Sequence, residues 1–269
     1  MLTPPKSFRE LTTPITAGPC RYDLEVPSGW LQGRGTFGGF VLAALTRAAE
    51  SHLADPSWPL RSIHGELCGP TVPGPAVLVT ETLRAGGLVA VVAARLVQEG
   101  EVRAHLVATF ARPRGAAAPW HAATPIERPD WADTAAMPVD AAGAPEFVKH
   151  FELRNTGPWP FSREEDPIAH GWVRPRHETG DVDAGFVVGC ADGWWPALFT
   201  VLEDPKPIAT VTFTLDLTSS LDGLDGESPL FSVGRVVSRR EGYAVEAREL
   251  WAPDGRLVAL SQQTYVIIR

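Results

Sequence analysis

Two β-hairpins that recur 155 residues apart place the strongest constraint on how this chain folds. The first, LRAGGLVAVVAARLVQEGEVRAHLVATFARP, spans 83–113, and the second, SRREGYAVEARELWAPDGRLVALSQQTYVII, spans 238–268. In each hairpin two apolar runs flank a turn that ends in glycine, a pattern typical of antiparallel strand pairs. The turn glycines, Gly100 and Gly255, fall in register at this offset. The chain therefore contains two copies of one unit.

A further strand and a helix precede each hairpin. The strand candidates PLRSIHGEL (59–67) and PIATVTFTL (207–215) align with each other at an offset of 148. FGGFVLAALTRAAESHL has an apolar face at helical spacing and predicts a helix near 38–53. DAGFVVGCADGWWPALFTVL is apolar nearly all round and predicts a buried helix near 184–200. We expect Pro196 to kink that second helix.

One long helix wrapped by an antiparallel sheet, present twice, predicts an α+β double hotdog with about five or six strands in each half. The stretch 113–145 is rich in proline and alanine, and its repeated prolines would interrupt any regular element. We therefore expect an N-terminal repeat over 1–112, a linker over 113–145 and a C-terminal repeat over 146–269.

Composition and missing motifs exclude several classes of function. A net charge of −8 is unfavourable for a nucleic-acid-binding protein. No uncharged apolar run reaches the length of about 18 residues that would span a bilayer, and the start of the chain lacks a signal-peptide pattern. The three cysteines show no metal-binding spacing, and HExxH and GxSxG are absent, so we predict no metal and no cofactor. GRGTFG (33–38) fits GxGxxG but lacks the βαβ context of a dinucleotide site. These features predict a cytoplasmic protein.

Six stretches in order along the chain resemble the acyl-CoA thioesterase II family of double-hotdog hydrolases. They are TFGGFVLAAL (36–45), SIHGELCGPTVPGP (62–75), GWVRPR (171–176), VVGCADGWWPAL (187–198), IATVTFTL (208–215) and DGRLVALSQQ (254–263). The linker and 155–168 fall outside the resemblance. The family assignment implies hydrolysis of acyl-CoA or a related acyl thioester.

The resemblance also implies which side chains hold the attacking water. The family's aspartate falls on Asp192, its threonine on Thr210 and its glutamine on Gln263. Two glutamines are adjacent in this last strand, and successive strand residues point to opposite faces, so only one of them can point inward. The match predicts that Gln263 points toward Asp192 and Thr210, and that Gln262 lies on the other face.

Thioester hydrolysis requires these residue types. A carboxylate can accept the proton of the water, while a hydroxyl and an amide can fix its position. Backbone N–H groups at a helix start could stabilise the oxyanion, and Gly38 and Gly39 are the candidates for binding the substrate carbonyl. The first repeat has alanine opposite both Asp192 and Gln263, so the sequence predicts one catalytic site in the second repeat.

Several alternatives remain open at this point. Asp192 could instead pair with a buried arginine, Thr210 could be only a β-former, and Gln263 could satisfy a backbone group at a sheet edge. A non-hydrolytic double hotdog that binds acyl thioesters or lipids is the main functional alternative, and a hydratase or dehydratase is a weaker one. The sequence leaves undetermined the acyl chain, the carrier, any homo-oligomer and the residues that bind a nucleotide end, for which no basic patch is visible.

Overall fold

The computed structural model describes residues 5–115, 120–138 and 143–268. Its helices are α1 (Phe8–Thr12), α2 (Gly38–Leu53) and α3 (Ala184–Asp192), with 3₁₀ helices at Glu146–His150 and Ala197–Val201. The strands of the first half are β1 (Ile15–Gly18), β2 (Arg21–Val26), β3 (Leu31–Gln32), β4 (Gly35–Thr36), β5 (Leu60–Leu67), β6 (Gly74–Ala85), β7 (Val89–Gln98) and β8 (Glu101–Ala111). Those of the second half are β9 (Phe151–Asn155), β10 (Ile168–Pro175), β11 (Ile208–Leu217), β12 (Leu230–Arg240), β13 (Tyr243–Trp251) and β14 (Leu257–Ile267).

Twelve of the strands form one sheet in the order β1-β2-β6-β7-β8-β5-β11-β14-β13-β12-β10-β9. Six come from each half, and β5 pairs with β11 at the junction. Each recorded strand pair is antiparallel, which agrees with the predicted double hotdog. The sheet wraps around α2 and α3, which pack against each other in its interior.

The repeated turn glycines have the backbone conformation that the hairpins require. Gly100 follows β7 with φ +80°, and Gly255 precedes β14 with φ +89°. Glu99, beside Gly100, also has a positive φ of 53°. Two successive residues in this region make the tight turn whose twist matches that of the strands it joins.

The first helix is buried on more sides than its apolar face predicts. All residues from Gly38 to Ala49 are buried, because the sheet covers one side and α3 and α1 cover others. Glycines make this close packing of the two helices feasible, because a Cβ on Gly39 would lie 3.0 Å from Asp192 Cβ and one on Gly185 would lie 2.6 Å from Arg47 Cζ.

The second helix is shorter than the predicted 184–200. It ends at Asp192, and a 3₁₀ turn follows after Pro196. Proline has no N–H for the helical hydrogen bond, and its ring would clash with the carbonyl of Asp192, four residues earlier. The helix therefore ends where only a kink was expected, and Asp192 lies at the carboxyl end of α3.

The part of the linker that the structure describes packs against the protein. Residues 120–138 contain no helix or strand. Trp172 Nε1 donates a hydrogen bond to the Pro129 carbonyl at 3.0 Å, and Arg154 Nη1 donates one to the Trp131 carbonyl at 2.6 Å. The segment therefore covers an apolar part of the second half of the sheet. No helix in the described part of the chain is long and apolar enough to cross a membrane.

Candidate active site

Asp192, the last residue of α3, interacts with the first turn of α2. The residue before α2, Phe37, provides no side-chain cap for the helix. Gly39 N–H instead donates a hydrogen bond to Asp192 Oδ2 at 2.7 Å. Because the free N–H groups of a helix start carry partial positive charge, a carboxylate is favoured there.

The two glycines at this helix start allow the carboxylate to come close. A Cβ added to Gly38 would lie 2.9 Å from Asp192 Oδ2 and 2.9 Å from Leu67 Cδ1. A Cβ on Gly39 would lie 2.4 Å from the Phe37 ring. Larger residues would therefore push α2 and Asp192 apart. The structure brings together Gly38, Gly39 and Asp192, three of the residues that the sequence assigned to the candidate site.

Burial raises the pKa of the Asp192 carboxyl, although its side chain keeps some contact with solvent. Three neighbours oppose this effect and favour the ionised form: the charge of Arg248, the Gly39 N–H and the Gln263 amide. The nearby charge of Glu246 acts in the same direction as burial. The net result is a carboxyl group that holds its proton to higher pH than an ordinary aspartate.

Gln263 on β14 points into the protein, whereas Gln262 is exposed. Gln263 is only 2% exposed, and it lies opposite Phe213 on β11 and Glu246 on β13. Its amide is near enough to lower the pKa of Asp192, yet its Nε2 makes no hydrogen bond of normal geometry with the described residues. A buried donor without a protein partner beside a carboxylate is a position suited to a bound water.

Thr210 lies on the same face of the sheet as Gln263 but further along the strands. It pairs with Tyr265, two residues beyond Gln263 on β14, and two residues span about 7 Å along a strand. Its side chain is half-buried, and no hydrogen bond connects it with Asp192 or Gln263 within the described residues. The structure therefore places Thr210 at the edge of the group formed by Asp192, Gly38, Gly39 and Gln263.

A buried ion pair behind Asp192 was missed by the sequence reasoning. Arg248 Nε donates to Glu246 Oε1 at 2.8 Å, and the two residues are 3% and 0% exposed. Asp192 itself forms no ion pair with a described residue, although the charge of the buried Arg248 is near enough to lower its pKa. The sequence feature that could have revealed this pair is the alternation in AVEARELW. It directs Glu246 and Arg248 to the face that also carries the buried Ala244.

The ion pair holds the end of α3 in place. Arg248 Nη1 donates to the Ala191 carbonyl at 2.7 Å and to the Trp194 carbonyl at 3.2 Å. Glu246 Oε2 accepts hydrogen bonds from Ala197 N–H at 2.9 Å and from the Tyr265 hydroxyl at 3.1 Å. The two Arg248 bonds satisfy carbonyls at the end of α3, on both sides of Asp192, and the Glu246 bond to Ala197 N–H holds the segment that follows. They therefore fix the backbone that carries the carboxylate.

No group of three or more His, Cys, Asp or Glu side chains in the described ranges is arranged to hold a metal ion. The arrangement can bind a water between a carboxylate and an amide. It can also present the start of α2 to a polar substrate group.

Two family models match the chain. Residues 26–111 match the acyl-CoA thioesterase N-terminal domain, and residues 122–267 match the acyl-CoA thioesterase C-terminal domain. The comparison with curated protein sequences gives no significant match.

Solved structures share the fold. A conserved protein of unknown function with a hotdog fold from Alicyclobacillus acidocaldarius has a TM-score of 0.89 at 22% identity, covering 97% of this chain and 98% of its own. A candidate thioesterase II from Thermobifida fusca has a TM-score of 0.84 at 22% identity, covering 100% of both chains. An acyl-CoA thioesterase II from Mycobacterium marinum has a TM-score of 0.78 at 19% identity, covering 97% of this chain and 98% of its own. These similarities confirm the double-hotdog fold.

Proposed function

The chain belongs to the acyl-CoA thioesterase family, and from this premise we propose that it hydrolyses acyl-CoA thioesters with Asp192 as the general base. The observation that supports this role is a carboxylate of raised pKa beside the buried amide of Gln263, whose Nε2 has no partner among the described residues. A water between these two groups would complete the hydrogen bonding of the amide and lie next to a proton acceptor.

In the proposed reaction Asp192 first accepts a proton and later returns it. Asp192 accepts a proton from the water as the water oxygen bonds to the thioester carbonyl carbon, which gives a tetrahedral oxyanion. Collapse of the oxyanion breaks the C–S bond, and the leaving sulfur takes the proton from Asp192. The products are a carboxylic acid and the free thiol. Gln263 orients the water. The Thr210 hydroxyl, opposite Tyr265 on the same face of the sheet, helps to fix the position of the water.

The start of α2 is the proposed oxyanion site. Gly39 N–H already donates to Asp192, so its capacity is used. Gly38 is the first residue of the helix, and its N–H has no acceptor within the helix. We assign the thioester carbonyl oxygen to the Gly38 N–H, where the helix dipole also favours negative charge.

A panel of acyl-CoAs of different chain length, with detection of the released thiol, tests this proposal. The parent protein should release CoA from at least one of them, and Asp192→Asn should lower kcat by about 10²- to 10⁴-fold, the usual contribution of a general base. KM should change much less, because the amide keeps the shape of the carboxylate. Asp216→Asn is a matched control, since Asp216 is exposed on β11.

Two outcomes would contradict the proposal. Binding of acyl-CoA without release of thiol by the parent protein would favour the non-hydrolytic alternative. Parental turnover by Asp192→Asn would remove Asp192 from the mechanism.

A further inference from the structure

A cavity of about 330 Å³ lies apart from the group around Asp192 and Gln263, neither of which lines it. Its walls come from the segment before α1, the loop after β2, the 3₁₀ helix Glu146–His150 and the turn after β10. The charged and aromatic side chains of the lining are Lys6, Phe8, Trp30, Lys149, Arg176 and His177, together with the His150 ring. We name this group the cationic cavity.

Three cations of the cavity, Lys6, Lys149 and Arg176, form no ion pair with a carboxylate within the described residues. Their convergence is unexpected, because the chain as a whole carries a net charge of −8. Like charges that share one cavity repel each other, so an anion that binds there relieves this repulsion.

Carboxylates near the cavity are engaged elsewhere. Glu10 Oε2 accepts a hydrogen bond from Ser7 N–H at 2.8 Å, within the cap of α1. Glu178 Oε2 accepts one from Arg9 N–H at 3.0 Å. Glu146, in the same 3₁₀ helix as Lys149, accepts one from Leu31 N–H at 3.4 Å. These acids bind backbone N–H groups, and among the residues that the structure describes none of them forms an ion pair with Lys6, Lys149 or Arg176.

The floor of the cavity is aromatic. Phe8 and Trp30 are each 2% exposed, and the Trp30 ring stacks on His150 with 4.1 Å between centroids and 2° between planes. His150 Nε2 is hydrogen-bonded to the Gly29 carbonyl at 2.9 Å, which fixes the stacked pair. A rigid apolar floor beneath cations that form no ion pair in the described part of the chain fits an organic molecule that carries phosphate better than a small inorganic ion.

The cavity is connected with the candidate active site through its floor. The Trp30 carbonyl accepts a hydrogen bond from Phe37 N–H at 2.8 Å, and Phe37 directly precedes Gly38. The Phe8 ring packs against Gly189, where an added Cβ would lie 2.6 Å from the ring. Gly189 is three residues before Asp192 on α3. One layer of aromatic side chains therefore separates the two sites.

We propose that the cationic cavity binds the phosphate groups at the nucleotide end of the CoA carrier. This inference rests on the proposed function, because it takes the ligand to be the carrier of the hydrolysed thioester. Lys6 and Lys149 supply point charges. Arg176 supplies the guanidinium N–H groups other than its Nε, which donates to the Phe151 carbonyl at 3.0 Å. Together they suit a phosphate monoester and a diphosphate. The residues come from both halves of the chain, so no local sequence pattern reveals them.

Calorimetric titration with adenosine 3′,5′-bisphosphate tests the phosphate site without turnover. The parent protein should bind this probe, and the affinity should fall as salt concentration rises. Lys149→Gln and Lys6→Gln should each weaken binding by about fivefold, the effect of losing one partly exposed ion pair. Lys206→Gln is the matched control, because Lys206 is exposed and does not line the cavity. Equal affinity in all four proteins, or no binding by the parent, would overturn the proposal.

Measurements of turnover distinguish CoA from other phosphorylated ligands of the cationic cavity. With the best acyl-CoA of the panel, Lys149→Gln should raise KM by about fivefold and leave kcat near the parent value. The matching acyl-pantetheine has no phosphate, so its KM should be the same in parent and variant. An unchanged KM for acyl-CoA in a variant that binds the bisphosphate weakly would overturn the assignment to the carrier. If the bisphosphate binds as expected but no thioester is hydrolysed, the proposed function fails and the phosphate site stands.

Discussion

The Gly39 N–H and Asp192 Oδ2 form a 2.7 Å hydrogen bond between residues that lie 153 positions apart in the chain. It joins the start of the helix in the first repeat to the end of the helix in the second. Asp192 therefore combines a structural contact with the proposed chemical role. The two roles predict different responses to mutation, because an asparagine oxygen can still accept the Gly39 hydrogen bond but cannot act as the base.

The pH dependence of kcat/KM should report the ionisation of Asp192. A base must be unprotonated, so kcat/KM should fall as pH drops through the Asp192 pKa. Because burial raises this pKa, the midpoint of the acid limb should lie above the ordinary aspartate value of 3.8. Initial rates at low substrate across the acid range provide the measurement. An acid limb that persists unchanged in the residual activity of Asp192→Asn would assign it to another group.

Asp192→Asn should stabilise the fold at neutral pH. The folded protein holds the Asp192 proton more strongly than the unfolded chain, because burial raises the pKa. Between the unfolded and folded pKa values, the free energy of unfolding therefore decreases as pH rises, and above the folded value the full penalty is present. Asparagine removes this penalty. Thermal midpoints at neutral and acid pH should show a gain at neutral pH that disappears at acid pH.

A lower midpoint for Asp192→Asn at neutral pH would show that the carboxylate charge stabilises the fold. Together with a parental kcat, that result would leave Asp192 with a structural role alone.

Gly38→Ala should damage activity more than stability. The added Cβ would lie within 2.9 Å of both Asp192 Oδ2 and Leu67 Cδ1, so the carboxylate must move. A displacement of about 1 Å at a catalytic group can cost on the order of 10²-fold in rate. Gly18→Ala is the control, since nothing lies within 4 Å of its added Cβ. Measurements of kcat and of the thermal midpoint on the same preparations provide the test, and a Gly38→Ala protein with parental kcat would contradict the proposed geometry.

Arg248→Met should destabilise the protein strongly. The change leaves Glu246 buried without its partner, and loss of one member of a buried pair costs about 3–5 kcal/mol. It also frees the carbonyls of Ala191 and Trp194 at the end of α3. Urea denaturation curves should show the loss, while Arg95→Met, which breaks an exposed pair with Glu81, should cost at most about 1 kcal/mol. Similar losses in the two variants would contradict the role of Arg248 as an anchor of α3.

Local chemistry explains what the sequence predicted correctly. The hairpins follow from apolar runs and glycine turns, and Gly100 and Gly255 adopt the positive φ that such turns require. Strand alternation required that one of the two adjacent glutamines point inward, and the family resemblance selected Gln263. The extent of the second helix was wrong, because Pro196 ends the helix where only a kink was expected.

The sequence by itself determined the repeated hairpins and the two buried helices, because each depends on residues close together in the chain. Only the tertiary structure decided that Asp192 caps the other helix and that Arg248 pairs with Glu246 behind it. Only the fold likewise brings Lys6 and Lys149 to one cavity. These contacts join residues from distant segments or different elements, and their geometry depends on how the sheet curves around both helices. No local period in the sequence encodes that geometry.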